Sequence, residues 1–231
     1  MQQLYAMRLS LVQLKPEVNA QQDFENFSIF IQNAQFVDYV VENEQIQAFS
    51  ATQYSSQNIE GNTAIVVEPE FVFVNPEYRK GNFTKQYFGR LIRRLKFKYW
   101  YKPIYTVGCA YPHSFVAFVR YFHENIWTLN HPNISDYHKQ ILINFLQRKT
   151  GKTDVGNGIV EAPTLHHEQS QAHIERLQKN EHYPFYIQQN PDWAKGYTLG
   201  FITKISWRAL IKGLLRGKEK SKNVQNIRQH I

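Results

Sequence analysis

The chain has one cysteine, Cys109, among 231 residues, which excludes an internal disulfide framework and fits a reducing compartment. No apolar run approaches the roughly eighteen residues of a spanning helix. The opening residues Met1 to Tyr5 place no charged segment before an apolar one, so no signal peptide is expected. The histidines His166, His167 and His173 match no standard ligand spacing, and no metal site is expected. Gly151-Lys152-Thr153 resembles the end of a phosphate-binding P-loop, but Leu146 stands where the upstream glycine belongs and a helical pattern precedes it. Acidic residues are also unevenly missing. From Arg79 to Lys102 there are nine Lys/Arg and no Asp or Glu, and from Lys204 onward Glu219 stands alone against eight. Such fields draw phosphates, acidic lipids or nucleic acid.

What is present is a substantial core. With 42% hydrophobic and 15% aromatic residues, the chain suits one domain with an insertion. Its organising stretch is Ala64 to Thr84. Ile65, Val66, Val67, Phe71, Val72, Phe73 and Val74 read as a mostly buried strand, which Asn75-Pro76 ends. A polar turn over Arg79, Lys80, Gly81 and Asn82 then opens a helix with Phe83, Tyr87, Phe88, Leu91, Ile92 and Leu95 on one face. A strand, a tight turn and a helix N-terminus together form a natural seat for an anion.

Around that stretch the patterns predict a first strand over 5–14, a helix from Pro16 to about Asn33, and strands over 35–41 and 45–54. With 64–74 these make a three-stranded antiparallel meander. Ile104 to Cys109 is a buried strand, and the intervening helix predicts a right-handed crossover that makes it the parallel neighbour of 64–74. A further helix starts at Tyr111-Pro112-His113-Ser114 with Phe115, Phe118, Val119 and Phe122 inward. Beyond it come a helix over 135–149, a Gly-rich loop over 150–162, a polar helix over 168–180, and two strands over 182–188 and 197–205 forming a hairpin. The fold class is α/β: a mixed, mostly antiparallel central sheet with flanking helices.

Val74-Asn75-Pro76-Glu77-Tyr78-Arg79 and the small-residue turn after it resemble the acyl-CoA-binding signature of the GCN5-related N-acetyltransferases. Arg79, Asn82 and Thr84 stand at its Arg/Gln, first Gly and second Gly/Ala positions, so both glycines are replaced. A second motif of that family has Asn-x-x-Ala-x-x-x-Tyr in its fourth helix. Ser114, Ala117 and Tyr121 keep its spacing here, and Asn125-Ile126 stands where Gly-Phe follows. The resemblance covers roughly residues 5–126 and 182–205, with 127–181 as a helical insertion. It implies acyl transfer from acetyl-CoA or another acyl-CoA to an amine or other nucleophile. The pyrophosphate would lie on Arg79, Lys80, Gly81, Asn82, Phe83 and Thr84, and the pantetheine arm would enter a splay beside Phe73 and Val74, with Ser114 nearby. Tyr121 would be the general acid and Glu68 or Glu70 the general base, acting through water. Those carboxylates sit two apart in an apolar strand, where pleating points them to one face unless Pro69 makes a bulge.

Two alternatives remain open beside this reading: a non-catalytic module of the same fold that has lost CoA, and a nucleic-acid-binding protein. The second rests on charge alone and ranks last, because no base-reading motif accompanies it. Residues 206–217 place Trp207, Leu210, Ile211, Leu214 and Leu215 on one helical face flanked by Arg208, Lys212 and Arg216. A basic amphipathic helix of this kind predicts contact with an anionic membrane surface, followed by a disordered basic tail over 218–231. The expected location is cytoplasmic, peripheral at the inner face of the membrane.

Overall fold

The computed structural model describes residues 1–59, 61–81, 83–122, 126–166, 175, 177–207 and 227–228; for 79–81, 85, 117, 120–122, 165–166 and 227–228 the description is of the backbone. The chain is a mixed α/β protein whose central sheet is mostly antiparallel. Its described elements are α1 (Gln2–Leu9), β1 (Val12–Leu14), α2 (Ala20–Asn33), β2 (Phe36–Glu42), β3 (Gln45–Ile59), β4 (Asn62–Val74), α3 (Phe83–Lys98), β5 (Ile104–Ala110), α4 (Pro112–Phe122), β6 (Ile126–Trp127), α5 (Asp136–Thr150), β7 (Ile159–Glu161), β8 (Thr164–His166), α6 (Tyr183–Gln189), β9 (Tyr197–Lys204) and β10 (Ile227–Arg228). The large sheet runs β10-β2-β3-β4-β5-β9-β6, with β7 also pairing β9, and β1 and β8 form a separate two-stranded ribbon. Among the described strands only β4 and β5 are parallel neighbours, joined through α3, as the crossover argument requires.

Two helical layers sandwich the sheet. On one face α3 buries Phe83, Tyr87, Leu91, Ile92 and Leu95 against Ile65, Val67 and Ile104, while α4 and α6 pack Phe115, Val119 and Tyr186 against Leu199 and Phe201. On the other face α1 and α2 enclose Phe27, Ile31 and Phe49. Beside them α5 buries Ile141, Leu142, Phe145 and Leu146 on Val66, Val107 and Ile202. That helix is well bounded: Ser135 caps its start by accepting from the His138 amide, and Gly151 ends it in the left-handed conformation at φ 69°.

Three expectations are corrected. Residues 5–14 form the end of α1 and the short β1 instead of one strand. Leu4, Met7 and Arg8 follow helical spacing, and the helix delivers Arg8 to Asp23 of α2, a contact that local alternation does not register. The Gly-rich loop over 150–162 contains β7, whose Ile159, Val160 and Glu161 pair with Leu199, Thr198 and Tyr197. Residues 182–188 form α6 instead of a hairpin strand, with Pro184 in its first turn. There Tyr186 is fully buried and Asn190 donates to its hydroxyl at 3.0 Å. The partners of β9 are therefore β5, β6 and β7. Segment 127–181, read as a helical insertion, thus supplies α5 to the core and β7 to the sheet. Of the expected helix over 168–180 only 175 and 177–180 are described; the stretch 208–217 falls outside the described residues, as does the tail apart from β10, which pairs with β2 at Val40 and Tyr39.

Candidate functional site

The site begins with a proline. In the β3–β4 ladder Thr52 pairs with Pro69 and Ala51 with Phe71, which leaves Glu70 as the extra, bulged residue. The bulge shifts the side-chain alternation by one. Before it Ile65 and Val67 face the α3 core, and after it Phe71 and Phe73 face the α1/α2 core. A bulged strand bends, and the parallel ladder with β5 ends at Val67/Thr106, although β4 runs on to Val74 and β5 to Ala110. The end of β5 is secured elsewhere. The Tyr186 hydroxyl donates to the Ala110 carbonyl at 2.8 Å, and the Tyr111 hydroxyl donates to the Thr164 carbonyl at 2.6 Å.

Between the separated strands lies a cavity of about 200 Å³. Its walls are β4 from Pro69 to Phe73 and β5 from Gly108 to Ala110; Ser114 and Phe118 of α4 close one side, Arg8 and Glu161 the other. It therefore passes through the sheet from one helical layer to the other. Gly108 matters at this point because a Cβ there would meet the Phe201 ring at 3.3 Å.

Each charged side chain on that wall meets an opposite charge. Arg8, only 3% exposed, is held by both carboxylate oxygens of Asp23, with Nη2 donating to Oδ1 at 2.9 Å. The Tyr5 hydroxyl donates to Asp23 at 2.8 Å; burial and this neighbouring carboxylate push Tyr5 up to about 12. Lys149 of α5 is ion-paired with Glu70. Burial draws its ammonium down, but the carboxylates of Glu70 and Glu68 more than offset this and hold it above its usual value. Lys15 reaches Glu161 at 2.7 Å. Burial pushes the Cys109 thiol up to about 12 and Tyr111 to about 12, so both stay protonated near neutral pH and Cys109 is no ready nucleophile.

The sequence-predicted residues distribute as follows. Glu70, Phe73 and Ser114 line the cavity. Glu68 does not, though it turns to the same α5 side and pairs with Arg148, the neighbour of Glu70's partner. Burial raises the Glu68 carboxyl above its ordinary value against the pull of Arg148. Val74 packs toward the α3 core. Arg79, Lys80 and Gly81 lie in a 3-10 turn over Pro76–Gly81 between β4 and α3; the side chains of Arg79 and Lys80, and Asn82 altogether, lie outside the described residues. Phe83 is buried in the core, so its backbone alone faces the turn, and Thr84 is half-buried in the first turn of α3. Tyr121 belongs to the last turn of α4, with its side chain outside the described residues. Sequence reasoning missed Arg8, Lys149 and Glu161. Only the burial cost of an arginine would have flagged Arg8, and burial is not written in local pattern; Lys149 and Glu161 reach the cavity through long-range packing of α5 and β7.

No family model matches the chain, and no curated protein matches it. Among solved structures, a chain of "The crystal structure of KacTA-DNA complex" is similar at 10% identity with a TM-score of 0.34, over 54% of this chain and 80% of that one. A likeness that slight carries no argument about fold or function.

Proposed function

We propose that this chain is an acyltransferase, moving an acetyl or longer acyl group from acyl-CoA to an amine or other nucleophile. The observation that carries the reading is the opening between β4 and β5 beyond Val67/Thr106, with a cavity that crosses the sheet. An extended amide-bearing arm would lie along the β4 edge from Glu68 to Phe73, where no ladder pair to β5 occurs among the described residues. The turn over Pro76–Gly81 and the start of α3, which has no acidic residue in its first turn, would receive the pyrophosphate by unpaired amides and dipole.

The acceptor amine would attack the thioester carbonyl, forming the new C–N bond. Collapse of the tetrahedral adduct breaks C–S, and the departing thiolate takes a proton from Tyr121, whose phenol is of comparable basicity. Glu70 is the better-placed base, since it lines the cavity and Glu68 does not; it would remove the amine proton through water. In the sequence Tyr121 follows Ser114 and Phe118, which line the cavity, at helical spacing.

The test is a thermal-shift titration with CoA, acetyl-CoA and long-chain acyl-CoA. A ligand at a hundredfold its Kd stabilises the fold by about 2.7 kcal/mol, easily read as a shift in Tm. Arg79→Glu should reduce the shift by placing a carboxylate at the pyrophosphate, and Tyr121→Phe should depress turnover while leaving CoA affinity nearly intact. No shift with any thioester would overturn the reading; a shift without turnover would instead favour a binding module.

A further inference from the structure

Four aromatic side chains stand out in water at the C-terminal end of α3. Phe97 and Trp100 are each 70% exposed, Tyr101 is 65% and Trp207 is 43% exposed. They are not scattered. Phe97 meets the Trp207 ring edge-on with centroids 6.4 Å apart, and Trp100 meets Tyr101 in the same manner at 5.8 Å. Phe97 stands in the last turn of α3 and Trp100 and Tyr101 in the turn that follows it, so both pairs belong to the same end of the helix. Clustered apolar exposure of this kind marks an interaction surface.

The charges among these rings are of one sign. Lys96 Nζ lies 5.8 Å from the Trp207 centroid and Lys102 Nζ lies 5.6 Å from that of Tyr101. Lys98 spends its ammonium on the Tyr54 hydroxyl at 3.0 Å. Among the described residues no ion pair engages Lys96, Lys98, Lys102 or Lys204. Lys96 is itself only 6% exposed, and burial followed by repulsion from Lys204 draws its ammonium below the usual value. A buried lysine repelled by the exposed Lys204 beside an open indole is an arrangement that an external anion relieves.

We propose that this end of the molecule seats on an anionic lipid bilayer, with Phe97, Trp100, Tyr101 and Trp207 at headgroup depth and Lys98, Lys102 and Lys204, the more accessible lysines, against lipid phosphates. Tryptophan and tyrosine favour that interface because each has an apolar body and a polar edge. Basic neighbours add attraction to the anionic surface. Single-stranded nucleic acid is the other basic–aromatic partner, but it stacks on open ring faces. Here the rings meet edge to face and an ammonium sits near two of them. The seat also leaves the cavity accessible. β5 starts beside the patch at Ile104 and ends at the cavity at Ala110, and the 16 residues of α3 span about 24 Å between the two ends. The proposal stands independently of the acyl-transfer reading.

The test uses the full chain with vesicles of phosphatidylcholine alone and of phosphatidylcholine mixed with phosphatidylglycerol. The chain should sediment with the mixed vesicles, less so at high salt, and lipids brominated near the headgroup should quench its tryptophan fluorescence. Phe97→Ser with Trp100→Ser, and separately Lys98→Gln with Lys102→Gln, should each weaken partitioning by at least about tenfold with circular dichroism melts unchanged. Should either variant unfold, the quenching of the unaltered chain still decides. The proposal is overturned if the chain ignores mixed vesicles, if no quenching occurs, or if both folded variants bind as the parent does. It is also overturned if inorganic phosphate at matched ionic strength displaces the chain, or if these four residues govern binding of a single-stranded oligonucleotide and not of vesicles.

Discussion

At the cavity Arg8, Lys149 and Lys15 each close on a carboxylate, whereas at the far end of α3 Lys96 and Lys204 repel one another beside Trp207. Arg8 and Lys15 are buried and the Lys149 side chain is partly covered, and burial of charge is tolerable only when the partner comes with it. Those pairs build the cavity wall. In the second set the fold supplies aromatic rings and further lysines but no carboxylate among the described residues. A protein that pairs its charges carefully at one end and leaves them unpaired at the other separates two tasks: holding a shape, and meeting something outside.

The largest expected effect tests the paired end. Asp23→Ala should destabilise the fold by about 3–5 kcal/mol, because it leaves the Arg8 guanidinium buried without a counter-ion. Urea unfolding measures this. The double change Arg8→Met with Asp23→Leu should recover much of the loss, and a single change costing nothing would break the comparison. Next is Gly200→Ala, costing about 1–3 kcal/mol by overpacking. Its new Cβ would meet Leu146 Cδ2 at 2.9 Å and the Gly158 carbonyl at 3.0 Å, so the loss reports how tightly α5 and β7 close on β9.

Lys96→Met sharpens the contrast by inverting the sign. It should raise stability on the order of 1 kcal/mol by removing an unpaired buried cation, while weakening sedimentation with anionic vesicles. In the parent the folded-state value of Lys96 lies below the ordinary 10.5. Stability should therefore rise as pH climbs through the window between the two, since the unfolded chain there binds the extra proton. The variant should lose that rise. The smallest effect belongs to Glu68. Its carboxyl titrates above the ordinary 4.5 when folded, so stability is greatest below that value and falls as pH rises through the raised one. Glu68→Gln should flatten this slope in pH-dependent denaturation.

Much of the fold was legible because local chemistry repeats. The meander, α3, β5, α4 and α5 follow from periodicity and from punctuation at Asn75-Pro76 and Gly151. Two of the misreadings share one cause. Residues 5–14 and 182–188 are short apolar stretches in which strand and helix patterns overlap, and distant partners decided between them: Asp23 for α1, Ala110 and Phe115 for α6. Of the residues singled out in the sequence, Glu70, Phe73 and Ser114 line the cavity, whereas Arg8, Lys149 and Glu161 arrive there from elements far away in sequence.

What the sequence determined by itself was the strand–turn–helix around Pro69 and Pro76, the one-sided charge of 79–102, and the alternation that makes a sheet with two helical faces. A proline's missing donor and a run without carboxylates act wherever the chain goes. Only the tertiary structure decided that β5 would end on Tyr186 and Thr164 instead of β4, that the opening would be lined by paired charges, and that Phe97 and Trp207 would meet on the surface. These depend on which elements bury one another. Burial is a property of the packed chain, set by apolar area and charge pairing summed over long-range contacts that no local window contains.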